Sequence, residues 1–184
     1  MNIPIIVLGI FAILLIVGIF IFNQLVRHRN LMKEAFSGID VQLKRRHDLV
    51  PNLVETVKGY SRHEQGVLEN VAKLRSQVQS ADSVVQKGEK ESELSRSIKT
   101  IFALAESYPD LKADKSFLSL QANLVEIEDQ LQMARRYYNG TVRNYNVVVE
   151  SFPSNLIAGQ FQFHRADFFE LEYATDRQTP DVRF

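Results

Sequence analysis

The chain has 184 residues, and its 22 Lys and Arg balance 22 Asp and Glu, so overall charge names no partner. It contains no cysteine, which excludes disulfides, thiolate metal sites and cysteine nucleophiles. Gly and Pro are scarce and Trp is absent. With the long periodic segments below, this favours an all-α chain over a sandwich or barrel.

Residues Ile3 to Phe22 carry no charge. A helix of that length spans ~30 Å, the thickness of a hydrocarbon core. Only a helix satisfies the backbone of such a segment in lipid. Pro4 falls in its first turn, where a missing N–H costs little. A cleaved signal peptide would need a basic leader, a shorter apolar core and a small-residue cleavage site. Only Met1 and Asn2 precede the run, and Asn23 to Arg27 offer no small pair. The segment 3–22 therefore reads as an uncleaved single-pass transmembrane anchor in contact with the bilayer. Arg27, Arg29, Lys33, Lys44, Arg45 and Arg46 follow it and no Lys or Arg precedes it. The positive-inside rule then predicts the N-terminus outside and the body in the cytoplasm.

From Asn23 the helical beat continues. Met32, Phe36, Ile39, Leu43, Val50, Leu53, Val57, Tyr60, Val67, Val71, Leu74 and Val78 fall on three- and four-residue steps if Arg46 and Glu64 fill two gaps. This is a coiled-coil-like seam, and it predicts helix as far as Gln79. Pro51 interrupts it. Either one long helix kinks there, or a first helix ends near His47 and a second begins with Asp48 as its N-cap. The unbroken beat favours the kink.

Ser80 to Glu91 reads as a polar surface loop. Leu94, Ile98, Ile101, Ala105 and Tyr108 predict a helix over 91–107, stopped by Pro109. A linker runs to Lys115. From Ser116, Phe117, Leu120, Leu124, Ile127, Leu131, Ala134, Tyr138, Val142, Tyr145, Val149 and Phe152 form a second seam. That helix is about 36 residues, or ~54 Å, and Pro153 ends it. The two stripes are each other's economical partners. The expected body, residues 23–152, is thus an antiparallel helical bundle of three or four long helices.

The segment 153–184 changes character. Ser154 to Gln160 reads as a loop, Phe161 to Phe163 as a strand-like edge, Arg165 to Tyr173 as a short helix, and Thr175 to Phe184 as a tail. Phe161, Phe163, Phe168 and Phe169 are too many rings to leave in water. They fold back on the bundle or face a partner.

Candidate chemistry is sparse. His28, His47, His63 and His164 form no HExxH and no paired Glu-x-x-His. No Gly-rich phosphate loop or serine elbow is present. No cofactor or metal is expected. Arg46 and Glu64 occupy seam positions and predict polar pairing across the bundle, with Glu126, Glu128 and Asp129 as acceptors. The alternative is that Arg46 snorkels at the seam's edge. The run Lys44-Arg45-Arg46 lies ~33 Å beyond Phe22 in an upright helix, too far for lipid headgroups. It lacks the charge density and interleaved aromatics of a nucleic-acid surface. Lys44, Arg45, Arg46, Asp48 and Glu64 are therefore read as bundle or partner contacts.

Four stretches carry a family resemblance. The run from Leu25 through Ala35-Phe36-Ser37-Gly38-Ile39-Asp40 and Arg46-His47-Asp48-Leu49-Val50-Pro51-Asn52-Leu53 to Tyr60 resembles the LemA family. So do Tyr137-Tyr138-Asn139-Gly140-Thr141-Val142-Arg143-Asn144-Tyr145-Asn146, Phe152-Pro153-Ser154-Asn155-Leu156-Ile157-Ala158 and the ending Pro180-Asp181-Val182-Arg183-Phe184. Phe36 departs from a common tryptophan and keeps an aromatic seam residue. The resemblance implies a bacterial inner-membrane protein with one N-terminal anchor and a cytoplasmic helical bundle. It supplies no activity and no catalytic residues. It implies a membrane metalloprotease of the envelope-stress type as a partner.

The leading expectation is a membrane-anchored, non-enzymatic scaffold or adaptor acting on protein partners or on itself. A lipid-binding, membrane-shaping protein is the alternative. A cryptic enzyme or metal protein is the third reading.

Overall fold

The computed structural model describes residues 3–60 and 65–169. Its elements are α1 (Ile3–Lys58), α2 (Gln65–Gln79), α3 (Val84–Ala105), α4 (Pro109–Lys112), α5 (Lys115–Glu150) and α6 (Ser154–Gln160). Among the described residues there is no strand. The fold is all-α, a long apolar N-terminal helix leading into a helical bundle.

The 56 residues of α1 make a rod ~84 Å long. Its large apolar side chains from Ile3 to Phe20 are all exposed, and Ile21 is the first to be buried. An 18-residue window here has a mean hydropathy of 3.4. A soluble chain would bury such a stripe, so this helix fits a membrane location. The same helix then enters the body without a break.

The body is built on α5 lying antiparallel along α1. Leu25 clusters with Tyr145 and Val149, Ile39 with Leu131 and Tyr138, and Val50, Leu53 and Val57 with Phe117 and Leu124. The α2–α3 hairpin closes the far half of this pair. Leu68, Val71, Leu74 and Val78 of α2 and Leu94, Ile98 and Ile101 of α3 complete its core. Nearer the apolar rod only the start of α3 still reaches the pair, through Val84, and α6 with residues 161–169 takes the hairpin's place.

Helix ends follow local chemistry. Asp114 caps α5, its Oδ1 accepting from the Phe117 N–H at 2.9 Å. Its Oδ2 accepts from the Tyr60 hydroxyl at 3.0 Å, joining the far end of α1 to the start of α5. The Phe117 N–H, then Tyr60, hold the Asp114 carboxyl below its usual range. Ser83 caps α3 by accepting from the Gln86 N–H at 3.1 Å. At the end of α6, Gln162 adopts φ 55° while the Phe163 N–H donates to the Ala158 carbonyl at 2.9 Å. This is the Schellman closure, here without its usual glycine.

Several expectations are corrected. The helix does run on through Pro51, and Asp48 is an exposed mid-helix residue rather than a cap. The first seam, however, is not one helix to Gln79. Helix α1 stops at Lys58, Gly59 and Tyr60 form a turn, and α2 packs back on α1. The three-four beat survived the reversal only because charged positions were allowed to fill its gaps. Residues 84–90 are the first two turns of α3, not loop. The expected linker contains the single turn α4, with Pro109 at its start and Leu111 buried. Ser154 to Gln160 is helix, Phe161 to Phe163 pairs with no strand, and 165–169 is not helical. The remainder of that expected helix, to Tyr173, and the tail lie outside the described residues. Phe152 is exposed rather than in the seam.

Pro51 explains how α2 is held. Having no N–H, it leaves the His47 carbonyl one turn earlier without its helical donor. Arg75 of α2 fills the vacancy, its Nε donating to the His47 oxygen at 2.9 Å. Burial and then Arg75 push the His47 imidazole below its usual pKa. We expect Arg75→Met to cost about 1–2 kcal/mol in denaturant unfolding. In a Pro51→Ala background, where an N–H is restored, the cost of Arg75→Met should shrink. A double-mutant cycle measures the difference.

Candidate functional site

Three helices deliver one buried polar layer between the far and middle apolar clusters. Arg46 sits on α1 between Leu43 and Val50 and is 2 % exposed. Glu91 comes from α3 and is 1 % exposed; Glu128 comes from α5. The Arg46 guanidinium donates through Nη1 to Glu91 Oε1 and through Nη2 to Glu128 Oε2. Nη1 also lies 2.7 Å from the Ser95 hydroxyl, which donates to Glu128 Oε2 at 3.1 Å. Arg135 is buried on α5, and its charge acts on both carboxylates.

The layer's two carboxylates behave differently. Burial pushes the Glu91 carboxyl up, against the pull of Arg46 and Arg135. Burial would also raise Glu128, but Arg46, Arg135 and the Ser95 hydroxyl outweigh it and hold the carboxyl below its usual range. Burial would lower Arg46, yet the two glutamates raise its pKa, so it stays charged. Arg46 thus pairs with both carboxylates, and burial makes Glu91 the costlier of the two to keep charged. A cation fixed between two acceptors on different helices sets their axial register, as a polar residue does in a coiled-coil core.

The second arrangement is an asparagine clamp on α5. Asn146 pairs with the backbone of Ala166, accepting from its N–H at 2.9 Å and donating to its carbonyl at 3.0 Å. Asn139 does the same with Phe169, at 2.8 Å and 3.2 Å. Between them the Tyr138 hydroxyl donates to the Asp167 carbonyl at 3.0 Å. The spacing follows from geometry. Seven helical residues rise ~10.5 Å, and three extended residues rise ~10 Å. Two asparagines two turns apart can therefore grip an extended strand at every third residue. Phe163 lies under the Arg29 guanidinium at 4.8 Å and Phe169 under that of Arg135 at 5.1 Å.

The structure disperses the residues picked from the sequence. Arg46 is in the buried layer and does not snorkel. Lys44, Arg45 and Asp48 are exposed, with Arg45 donating to Gln42 at 3.3 Å. Glu64 lies outside the described residues. Of the acceptors considered, Glu128 is the partner; Glu91, read as the edge of a loop, is the other. Of the four aromatics expected to fold back or face a partner, Phe163 and Phe169 are buried in the chain's own core. Phe168 is partly buried beside them. Only Phe161 stays exposed. Asn139 and Asn146 were visible inside the family motif but without a role. The signal was their seven-residue spacing beside a core face. Among the described residues no cluster of three metal-binding side chains occurs.

Two outcomes test this site. Arg46→Met leaves the buried Glu91 and the half-buried Glu128 facing each other without their cation and should cost about 3–5 kcal/mol. Replacing Arg46, Glu91 and Glu128 together by Met, Leu and Met should recover most of that in urea unfolding. Glu128 has a lowered native pKa, so its contribution is present above the usual glutamate range and fades as pH falls through the native value. Glu128→Gln should accordingly flatten the acid side of the stability profile. Separately, Asn139→Ala and Asn146→Ala should speed amide exchange at Phe169 and Ala166 respectively, by ~10- to 100-fold for a loss of about 1–3 kcal/mol.

The LemA family profile matches residues 35–184. Protein LemA of Metamycoplasma hominis is 26% identical over 164 residues, covering 85% of this chain and 75% of that protein. Magnetosome protein MamQ 2 of Paramagnetospirillum magneticum is 30% identical over 76 residues, 41% of this chain and 28% of its own. Magnetosome protein MamQ of Magnetospirillum gryphiswaldense is 26% identical over 84 residues, 45% of this chain and 31% of its own. The chain thus spans under a third of these magnetosome proteins. With a profile match running from the middle of α1 through the asparagine clamp to Phe184, the chain belongs to the LemA family.

Proposed function

We propose that this protein is a membrane-anchored adaptor that works by binding other proteins rather than by catalysis. The observation that carries the reading is a row of exposed apolar side chains on the outward side of α5, set among Glu126, Asp129, Arg136 and Arg143. Leu118, Val125, Met133, Tyr137 and Val147 are all exposed. At 100° per residue they fall within about 120° of one another, opposite the buried face. Val41 of α1 is exposed as well. A helix that buries one full stripe has no packing need for a second, and an exposed one is a place for a partner. The buried charges support the same reading, since Arg46, Glu91 and Glu128 are spent on one another.

The anchor places this face at a set distance from a bilayer. In this reading α1 crosses a bacterial inner membrane once, with its N-terminus outside and the body in the cytoplasm. The basic residues that follow the span and are missing before it support that direction. The partner is a second copy or another protein of the same membrane, the family's metalloprotease association making a membrane protease the first to try.

Charge placed on the face tests the proposal. Leu118→Lys, Val125→Glu and Met133→Lys each change an exposed position and should leave stability within about 0.5 kcal/mol. Together they should abolish the crosslinked adducts that the unaltered protein forms in native membranes. An unaltered protein that crosslinks to nothing and sediments as a lone monomer in detergent would sink the reading.

A further inference from the structure

The end of the body beside the apolar rod has an exposed surface that the adaptor reading does not use. Helix α5 ends and α6 begins at the level of Ile21 and Phe22. The Phe161 ring lies 4.9 Å from that of Phe22, and the Phe163 ring 5.8 Å. Ile157 and Ala158 of α6 pack with Ile21, Leu25 and Val149. On and beside this short helix three large apolar side chains remain exposed. Phe152 is 81 % exposed, Leu156 64 % and Phe161 56 %.

Position identifies what covers them. The apolar run of α1 ends at Phe22, before Asn23 and Gln24, so the hydrocarbon boundary of a bilayer crossed by α1 falls there. Phe161 touches that very residue. Aromatic and aliphatic side chains on and flanking a short helix at this depth suit the boundary between headgroups and acyl chains. We propose that Phe152, Leu156 and Phe161 form a second membrane contact, a foot that rests in the surface of the bilayer α1 enters. The inference depends on α1 spanning that bilayer. With two contacts, α1 and the foot, the body cannot swivel freely about its anchor. The α5 face is then presented at a defined angle to the membrane.

The absence of tryptophan makes a direct test possible. The full chain is reconstituted in phosphatidylcholine–phosphatidylglycerol vesicles carrying bromine near the headgroups or deep in the acyl chains. Single reporters are Phe152→Trp and Phe161→Trp in the foot, Phe11→Trp in the span, and Tyr60→Trp at the far end. The foot reporters should lose roughly half their emission to the shallow bromine, less to the deep one, and Tyr60→Trp none. Quenching of Phe11→Trp without quenching of either foot reporter overturns the foot and leaves the span intact. Failure of Phe11→Trp itself to be quenched removes the span and the foot with it. Blue-shifted foot reporters that no bromolipid quenches would show a second copy or another protein covering the surface, and would also overturn it.

Discussion

The antiparallel contact of α1 and α5 governs the rest of the molecule. Two long helices share one apolar strip, and each further element attaches where that strip leaves a side open. Such a strip could slip by a turn at little cost if it were apolar throughout. Arg46 prevents this. Its guanidinium reaches Glu128 on α5 and Glu91 on α3, so a shift of either helix strands a buried charge. The layer separates the apolar clusters on its two sides and fixes how they align.

The third position along the pair is filled by two different devices. On the far side it is the α2–α3 hairpin, tied down where Arg75 answers the carbonyl freed by Pro51. On the near side it is a non-helical segment, tied down by Asn139 and Asn146. A helix satisfies its own backbone and needs only side-chain packing. A non-helical segment beside helices has no ladder to join, and its amide groups must be met by side chains. Asparagine suits the task because its amide offers a donor and an acceptor with peptide geometry. Arg135 stands where the two devices meet, over the Phe169 ring and in the field of Glu91 and Glu128.

Both devices turn on sequence features that first look like faults. Pro51 breaks a helix rule, and two asparagines lie on the body of a long helix where they add nothing to its propensity. Each is explained by a group brought from far along the chain. Gln162 belongs with them: a left-handed residue without glycine's freedom is accepted so that the chain can turn from α6 into the clamp.

The all-α class, the apolar N-terminal rod, the long α5 with its buried face and the continuity of α1 through Pro51 were all legible in the sequence. Each is a local matter of periodicity, length or charge placement over neighbouring residues. The partner choices were not. A three-four repeat reads the same whether the chain continues or reverses, so Gly59 and Tyr60 were passed over. Only packing decided that α2 returns along α1. Arg46 announced that a partner was needed, but its mates are 45 and 82 positions away and only the bundle selects them. The aromatics of 161–169 demanded burial without saying where. The tertiary structure settled that for most of them, because the asparagines that hold the segment lie on another helix and act only when the chain folds back.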